Sequence, residues 1–240
     1  MPGTAGRSPR RPWVIHMRWV DLLFAHWPID PGAIRPLIPD RLELDTYEGR
    51  AYLGIVPFAM ENVGPRGLPA PPFIGAFPEL NVRTYVRHGG RNGVWFLSLE
   101  AASRVAVEGA GAFFHLPYFL ADMERRRERE VVEYRSRRRD PRGPAAALDI
   151  RYRPTGPVEL APAGSLEGWL TDRMRVFAVD RRGRIVRTEI AHRSWPLQPA
   201  DAWIRDESMA AAHGLVLPAE PPHLRYAARL DVVAWWPRPA

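Results

Sequence analysis

A period-two alternation of apolar and polar residues that keeps restarting along the chain constrains the fold more than any other feature. It is clearest at Glu79–Arg87 and Val94–Ala101, two runs joined by His88-Gly89-Gly90-Arg91-Asn92-Gly93. Successive strand side chains point to opposite faces, so this pattern marks strands, and a Gly/Asn cluster between two of them marks a hairpin turn. The same reading predicts strands at 16–26, 50–63, 118–124, 131–138, 148–153, 173–180, 184–193, 199–206 and 224–235, with a second hairpin turning at Asp180-Arg181-Arg182-Gly183. Pro57 lacks a backbone N–H, which predicts an edge or a bulge at the centre of 50–63.

Helices are few and short. Asp30-Pro31 offers an N-cap and a proline at the first helical position, and Pro36 and Pro39 stop that helix near Leu37. Ser103 opens a helix toward His115, and shorter helices fit Ser165–Asp172 and Glu207–His213. The Pro/Gly-rich stretch Gly64–Pro78 has the length of a lid or binding loop. No repeat and no linker divides the chain. The expectation is one mainly antiparallel α+β domain over residues 13–240, behind a disordered tail at 1–12.

Composition narrows the chemistry. The chain has 240 residues, 46% of them hydrophobic and 25% charged, enough to bury a core without staples. There is no cysteine, which excludes disulfides, thiolate nucleophiles, zinc ribbons and iron–sulfur clusters. There is also no lysine: all 34 basic side chains are arginine. No side chain can therefore form a Schiff base with a carbonyl substrate, and a P-loop cannot be built.

The formal net charge of +7 raises nucleic acid as a partner. Much of the excess sits in Glu124–Arg142, where acids alternate with arginines. A mixed-sign run of this kind is expected at solvated hairpin tips, and no recognition motif accompanies it, which argues against nucleic acid. No apolar run approaches the ~20 residues a membrane helix needs. The twin arginines Arg10 and Arg11 are not followed by an uninterrupted apolar stretch, so a cytoplasmic protein is expected. Its oligomeric state, including a homo-oligomer, stays open.

Alternation places Glu79, Asn81, Arg83 and Tyr85 on one face of their strand and Leu80, Val82 and Val86 on the other. A six-residue turn with symmetric pairing would set Asn81 opposite Glu100 and Arg83 opposite Ser98. All of these polar groups would then share one surface. Two readings are open. The surface is either an outer face laced with weak salt bridges, or a site where Arg83 clamps a small carboxylate while Glu79 or Glu100 moves a proton.

The seven histidines show no metal-ligand spacing, and neither a metal nor a cofactor is expected. His115, at a helix C-terminus, is a further candidate for the pocket. The nine tryptophans are expected mainly in the core, with a pocket wall as the minority role.

Several phrases carry a resemblance: AHWPIDPGAIRPLIPDRLELD at 25–45, FPELNVRTYVRHGGRNGVWFLSLEA at 77–101, YRSRRR at 134–139, GSLEGWLTDR at 164–173 and WPLQPA at 195–200. Together they resemble the YqjF-type family of uncharacterised bacterial proteins in the acetoacetate-decarboxylase-like superfamily, over about Trp19 to Trp236. The resemblance implies an antiparallel β-barrel or cone with a few peripheral helices and a central pocket. In the superfamily's decarboxylase that pocket holds a Schiff-base lysine, with arginine and glutamates nearby. Here the corresponding segment falls near Phe113–Pro117 and has no lysine, while Glu79 matches the region of the pocket acids and Arg18 is an analogue of the pocket arginine by order alone. The implied function is binding of a small oxo or hydroxy acid, with non-covalent lyase or isomerase chemistry. A ligand-sensing or interaction module is the alternative, and an arginine-rich nucleic-acid binder the second.

Overall fold

The computed structural model describes residues 9–71 and 75–240. Thirteen strands carry the fold: β1 (Ile15–Ile29), β2 (Glu43–Leu44), β3 (Ala51–Pro65), β4 (Phe77–His88), β5 (Arg91–Ala101), β6 (Tyr118–Glu128), β7 (Val131–Arg138), β8 (Ala147–Pro154), β9 (Arg175–Val179), β10 (Ile185–His192), β11 (Gln198–Glu207), β12 (His223–Ala234) and β13 (Arg238–Pro239). Three short α-helices, α1 (Pro31–Ile34), α2 (Arg104–Phe114) and α3 (Leu166–Thr171), complete it with two 3₁₀ turns. The capping serines work as their sequence positions predict: Ala106 donates to Ser103 Oγ at 3.3 Å and Gly168 donates to Ser165 Oγ at 3.2 Å. Glu207–His213, expected as a helix, holds only the 3₁₀ turn Ala211–His213. No helix among the described residues is long and apolar enough to cross a membrane.

All the strands join one sheet, and its pairings close two circuits. One runs β4–β5–β9–β10–β12–β1–β3 and back to β4; the other leaves β5 through β6, β7, β8 and β11 before returning by β12, β1 and β3. Most pairs are antiparallel, but β5 runs parallel to both β6 and β9. A parallel pair needs a crossover, and α2 supplies the one between β5 and β6.

Strands β1, β3 and β4 serve both circuits, so both their faces are buried. Leu22 and Phe24 enter one core while Leu23 and Ala25 enter the other, and Tyr52 and Val56 part from Leu53 and Ile55 in the same way. That explains the near-continuous apolar runs LLFAHW and YLGIVPFAM. Each fully buried Leu, Ile or Phe contributes roughly 1.5–3 kcal/mol relative to exposure, so the two cores, not helix propensity, hold the fold.

Two expectations need correction. Pro57 lies in a strand paired on both sides, not at an edge. The β1–β3 register breaks between Val20 and Ala25, opposite Pro57, so the bulge that accommodates the missing N–H belongs to the neighbouring strand. There Asp21 adopts φ 50°, and the cavity-facing position on β1 switches from the odd residues Ile15, Met17 and Trp19 to Leu22. The arginine-rich β6–β7 hairpin is not wholly solvated either. Arg125 and Arg127 reach inward to buried Asp21, and Arg138 is buried against Glu100. Of the expected tail at 1–12, residues 1–8 lie outside the described residues; Arg11 donates to Glu189 and to the Trp236 carbonyl, and its own carbonyl accepts from Trp235. Of the loop Gly64–Pro78, residues 72–74 lie outside the described residues; Gly64, Pro65 and Pro71 border the cavity described next.

Candidate functional site

A cavity of about 430 Å³ fills the interior of the first circuit. Its walls are mainly apolar, with Met17, Phe58, Phe77, Phe96, Leu99 and Trp195 among them. Strand β4 crosses it and presents Glu79, Asn81 and Arg83, three alternate residues, into the space, while Leu80 and Val82 turn to the second core. The alternation forecast from sequence therefore selects the polar face correctly. That face points inward, because both faces of β4 are buried.

The pairing across the hairpin differs from the forecast by two residues beside the turn and by one at Glu79–Val82. The turn is the two-residue Gly89-Gly90, flanked by the pair His88–Arg91. Both glycines have positive φ, 55° and 72°, the geometry of a type I′ turn that other residues adopt at a cost. A bulge between Val82 and Arg83 then shifts the ladder again. Leu80 stands opposite Glu100, Val82 opposite Ser98, and Arg83 opposite Phe96. Because the side-chain period is two, this slip sends Glu100 and Ser98 to the face away from the cavity. There Arg138 forms a buried ion pair with Glu100, and Ser98 Oγ donates to Glu100 at 3.4 Å and contacts His213 Nε2 at 3.2 Å.

Two other candidates also stand outside the cavity wall. Arg18 pairs with Asp231 at 2.8 Å, near solvent on the outer side of β1. His115 caps α2 in a left-handed conformation, and its neighbours Phe114 and Leu116 line the cavity instead. Tyr85 lies behind Arg83: its hydroxyl contacts His26 Nε2 at 2.6 Å and accepts from Arg83 Nη2 at 3.4 Å. Burial, then the Arg83 charge, holds His26 well below the usual histidine range, so it is neutral. Gly54 makes room for this stack, since a Cβ there would stand 2.8 Å from His26 Nε2 and 3.3 Å from Arg83 Cγ.

Glu79 is 2% exposed and accepts from the Tyr118 hydroxyl at 2.9 Å. Burial raises its pKa to about 8, against the lowering effect of the Tyr118 hydrogen bond. The group is therefore mostly protonated at neutral pH. Arg83 is 8% exposed and lies over the Phe24 ring at 5.2 Å. It donates to Tyr85 and to the Leu170 carbonyl, and among the described residues it has no carboxylate partner. Arg173 adds a second guanidinium, paired with Asp45 at 2.6 Å. Two guanidiniums and one buried carboxylate leave a positive charge uncompensated at this end of the cavity.

Four buried polar atoms of the cavity wall have no hydrogen-bond partner among the described residues: Trp19 Nε1, Asn81 Oδ1, Arg83 Nε and Arg173 Nη2. Buried polar groups are nearly always satisfied, so four exceptions on one cavity single it out as the candidate site. Tyr118, Arg173, His192 and Trp19 complete the polar wall, and sequence patterns gave no sign of them. They come from β6, the segment after α3, β10 and β1, which only the closed sheet brings together. GSLEGWLTDR, which contains Arg173, was one of the phrases carrying the family resemblance. No group of three or more His, Asp or Glu residues suited to a metal occurs among the described residues.

Comparison with known proteins agrees with this architecture. A family model, DUF2071, described as an uncharacterized conserved protein, matches residues 16–231. The uncharacterized protein YqjF of Bacillus subtilis (strain 168) is 43% identical over 223 residues, 93% of this chain and 91% of that one. Among solved structures, the enduracididine biosynthesis enzyme MppR complexed with pyruvate superposes with a TM-score of 0.70 at 14% identity, covering 95% of this chain and 91% of MppR. An acetoacetate decarboxylase from Legionella pneumophila gives a TM-score of 0.67 at 14% identity, covering 100% and 92%. At these identities the two structures show a shared fold.

Proposed function

The chain belongs to the DUF2071 family of uncharacterized conserved proteins, the YqjF-type family, and on that premise we propose that it binds an organic carboxylate of the oxo- or hydroxy-acid class in the cavity of the first strand circuit. The observation that carries this reading is Arg83, a buried guanidinium on the cavity floor whose Nε has no partner, and which has no carboxylate of its own, among the described residues. A buried, uncompensated arginine is costly unless an anion completes it, and its planar fork matches a carboxylate. Asn81 and Trp19 present one unpartnered acceptor and one unpartnered donor to the same space. In this reading the strand circuit forms the wall of a barrel-like cone, with β4 as its catalytic stave. The pyruvate complex of MppR supports the ligand class by analogy of fold.

Glu79 would be the proton-transfer group. A carboxyl with a pKa near the working pH gives and takes a proton with the least penalty. The chemistry would be non-covalent lyase or isomerase chemistry, with Arg83 holding the carboxylate and Glu79 protonating or deprotonating a carbon or oxygen further along the ligand. Amine catalysis through a side chain is excluded, because the 240 residues contain no lysine. The arginine-rich hairpin gives little support to nucleic-acid binding: Arg125, Arg127, Arg135, Arg138 and Arg139 are each engaged by a carboxylate of the protein.

Isothermal titration of pyruvate, acetoacetate and 2-hydroxy acids into wild type and Arg83→Gln tests the proposal. Saturable binding lost in the variant supports it. Equal binding by both proteins overturns it. Turnover that disappears in Glu79→Gln with binding retained separates an enzyme from a ligand-sensing module, which would bind without turnover.

A further inference from the structure

We propose that the ligand is a carboxylate with an extended apolar tail, of medium-chain or aryl-substituted oxo-acid size, and not a three-carbon acid; the inference rests on the carboxylate-binding reading above. Three observations carry it. The first is size and lining. A cavity of about 430 Å³ falls within the roughly 300–1,000 Å³ of sites that enclose drug-sized ligands. Apart from the Arg83 end and a few polar groups such as Asn81, Glu79 and Tyr118, its wall is aromatic and aliphatic, so a pyruvate-sized guest would leave most of that apolar surface facing water.

The second is spacing. Glu79 and Arg83 are four residues apart on one strand, which places their Cα atoms roughly 13 Å from each other at the ordinary strand rise. The Arg83 guanidinium leans further away, toward the Tyr85 hydroxyl and the Leu170 carbonyl. A three-carbon acid clamped by Arg83 would not reach Glu79. A longer acid would run past Asn81 and bring its chain to the Glu79 carboxyl.

The third is the outer rim. Ala101, at the end of β5, pairs with Glu79, and α2 begins three residues later, so the helix covers the Glu79 end of the cavity. Its Val105 and Phe113 line the cavity yet are 57% and 61% exposed, and Trp236, 48% exposed, stacks on Phe114 with ring centroids 5.6 Å apart. An apolar rim at the end opposite the charge suits a guest that enters head first and leaves its tail near the surface.

The test is a series of unbranched 2-oxo acids from three to ten carbons, with phenylpyruvate, titrated calorimetrically into the whole protein at pH 7. The expected result is a dissociation constant that tightens about fourfold for each added methylene until the cavity is full. The 1-alkanols of matching length, measured on the same wild-type protein, should bind at least tenfold more weakly, which tests the head group without any variant. Short acids that bind as well as long ones would overturn the tail inference and leave the carboxylate reading standing. No binding by any acid, or alkanols binding as tightly as acids, would overturn the carboxylate reading and the inference with it. Arg83→Gln, checked for folding by circular dichroism, should weaken every acid and leave the alkanols unchanged.

Discussion

Glu79 and Glu100 lie on opposite faces of the β4–β5 ladder, with Leu80 opposite Glu100 and Ala101 opposite Glu79. One carboxyl enters the cavity and is held by a tyrosine hydroxyl; the other enters the second core and is held by an arginine. Burial raises the pKa of both, but only Glu79 faces space a ligand can occupy. The pair thus divides into one carboxyl that lines the cavity and one that is part of the packing.

Glu79 should make folding stability depend on pH. Between its ordinary value of 4.5 and about 8, the folded protein keeps a proton that the unfolded chain has released. Stability from this group is complete below pH 4.5 and falls by about 1.4 kcal/mol per pH unit as pH rises, levelling off above about 8. Glu79→Gln should remove that slope. Urea titrations of both proteins across this window measure it, and parallel stability profiles would contradict the assignment.

Arg138→Met should leave the Glu100 carboxyl buried without its counter-ion and cost roughly 3–5 kcal/mol in chemical denaturation. The double variant with Glu100→Leu should recover a large part of that loss. Ligand affinity should be the same in the folded double variant, because this pair faces away from the cavity.

Tyr85→Phe should loosen the floor beneath the ligand. It removes the hydroxyl that partners His26 and accepts from Arg83, leaving buried polar groups unsatisfied at a cost of about 1–3 kcal/mol. Thermal denaturation reads the stability loss. Carboxylate affinity should fall with it, since Arg83 loses one of its two fixed contacts.

Gly54→Ala should be poorly tolerated despite its small size. The added methyl would meet the rigid His26 ring at 2.8 and 2.9 Å and the Arg83 side chain at 3.3 Å. Overpacking of this kind costs roughly 1–3 kcal/mol. Displacement of Arg83 should also weaken binding, so a lowered melting temperature accompanied by a raised Kd is the expected signature.

Much of this protein is legible in its residues taken in order. The alternation in FPELNVRTYV assigns Glu79, Asn81 and Arg83 to one face of a strand, the serines at 103 and 165 open helices, and the absence of lysine removes amine catalysis. These are local properties: side-chain period, capping chemistry and the presence or absence of a functional group. The tertiary structure decided what no local property expresses. Whether the polar face of β4 looks outward or inward depends on strands β1 and β3 being shared by two circuits, which leaves β4 no solvent side. Whether Glu100 joins Glu79 depends on a two-glycine turn and one bulge, because a one-residue slip reverses every side chain beyond it. Arg173, His192, Tyr118 and Trp19 meet only when the sheet closes, since each arrives on a different strand or segment. Pattern along the chain sets which face a side chain takes; closure of the sheet sets what that face meets.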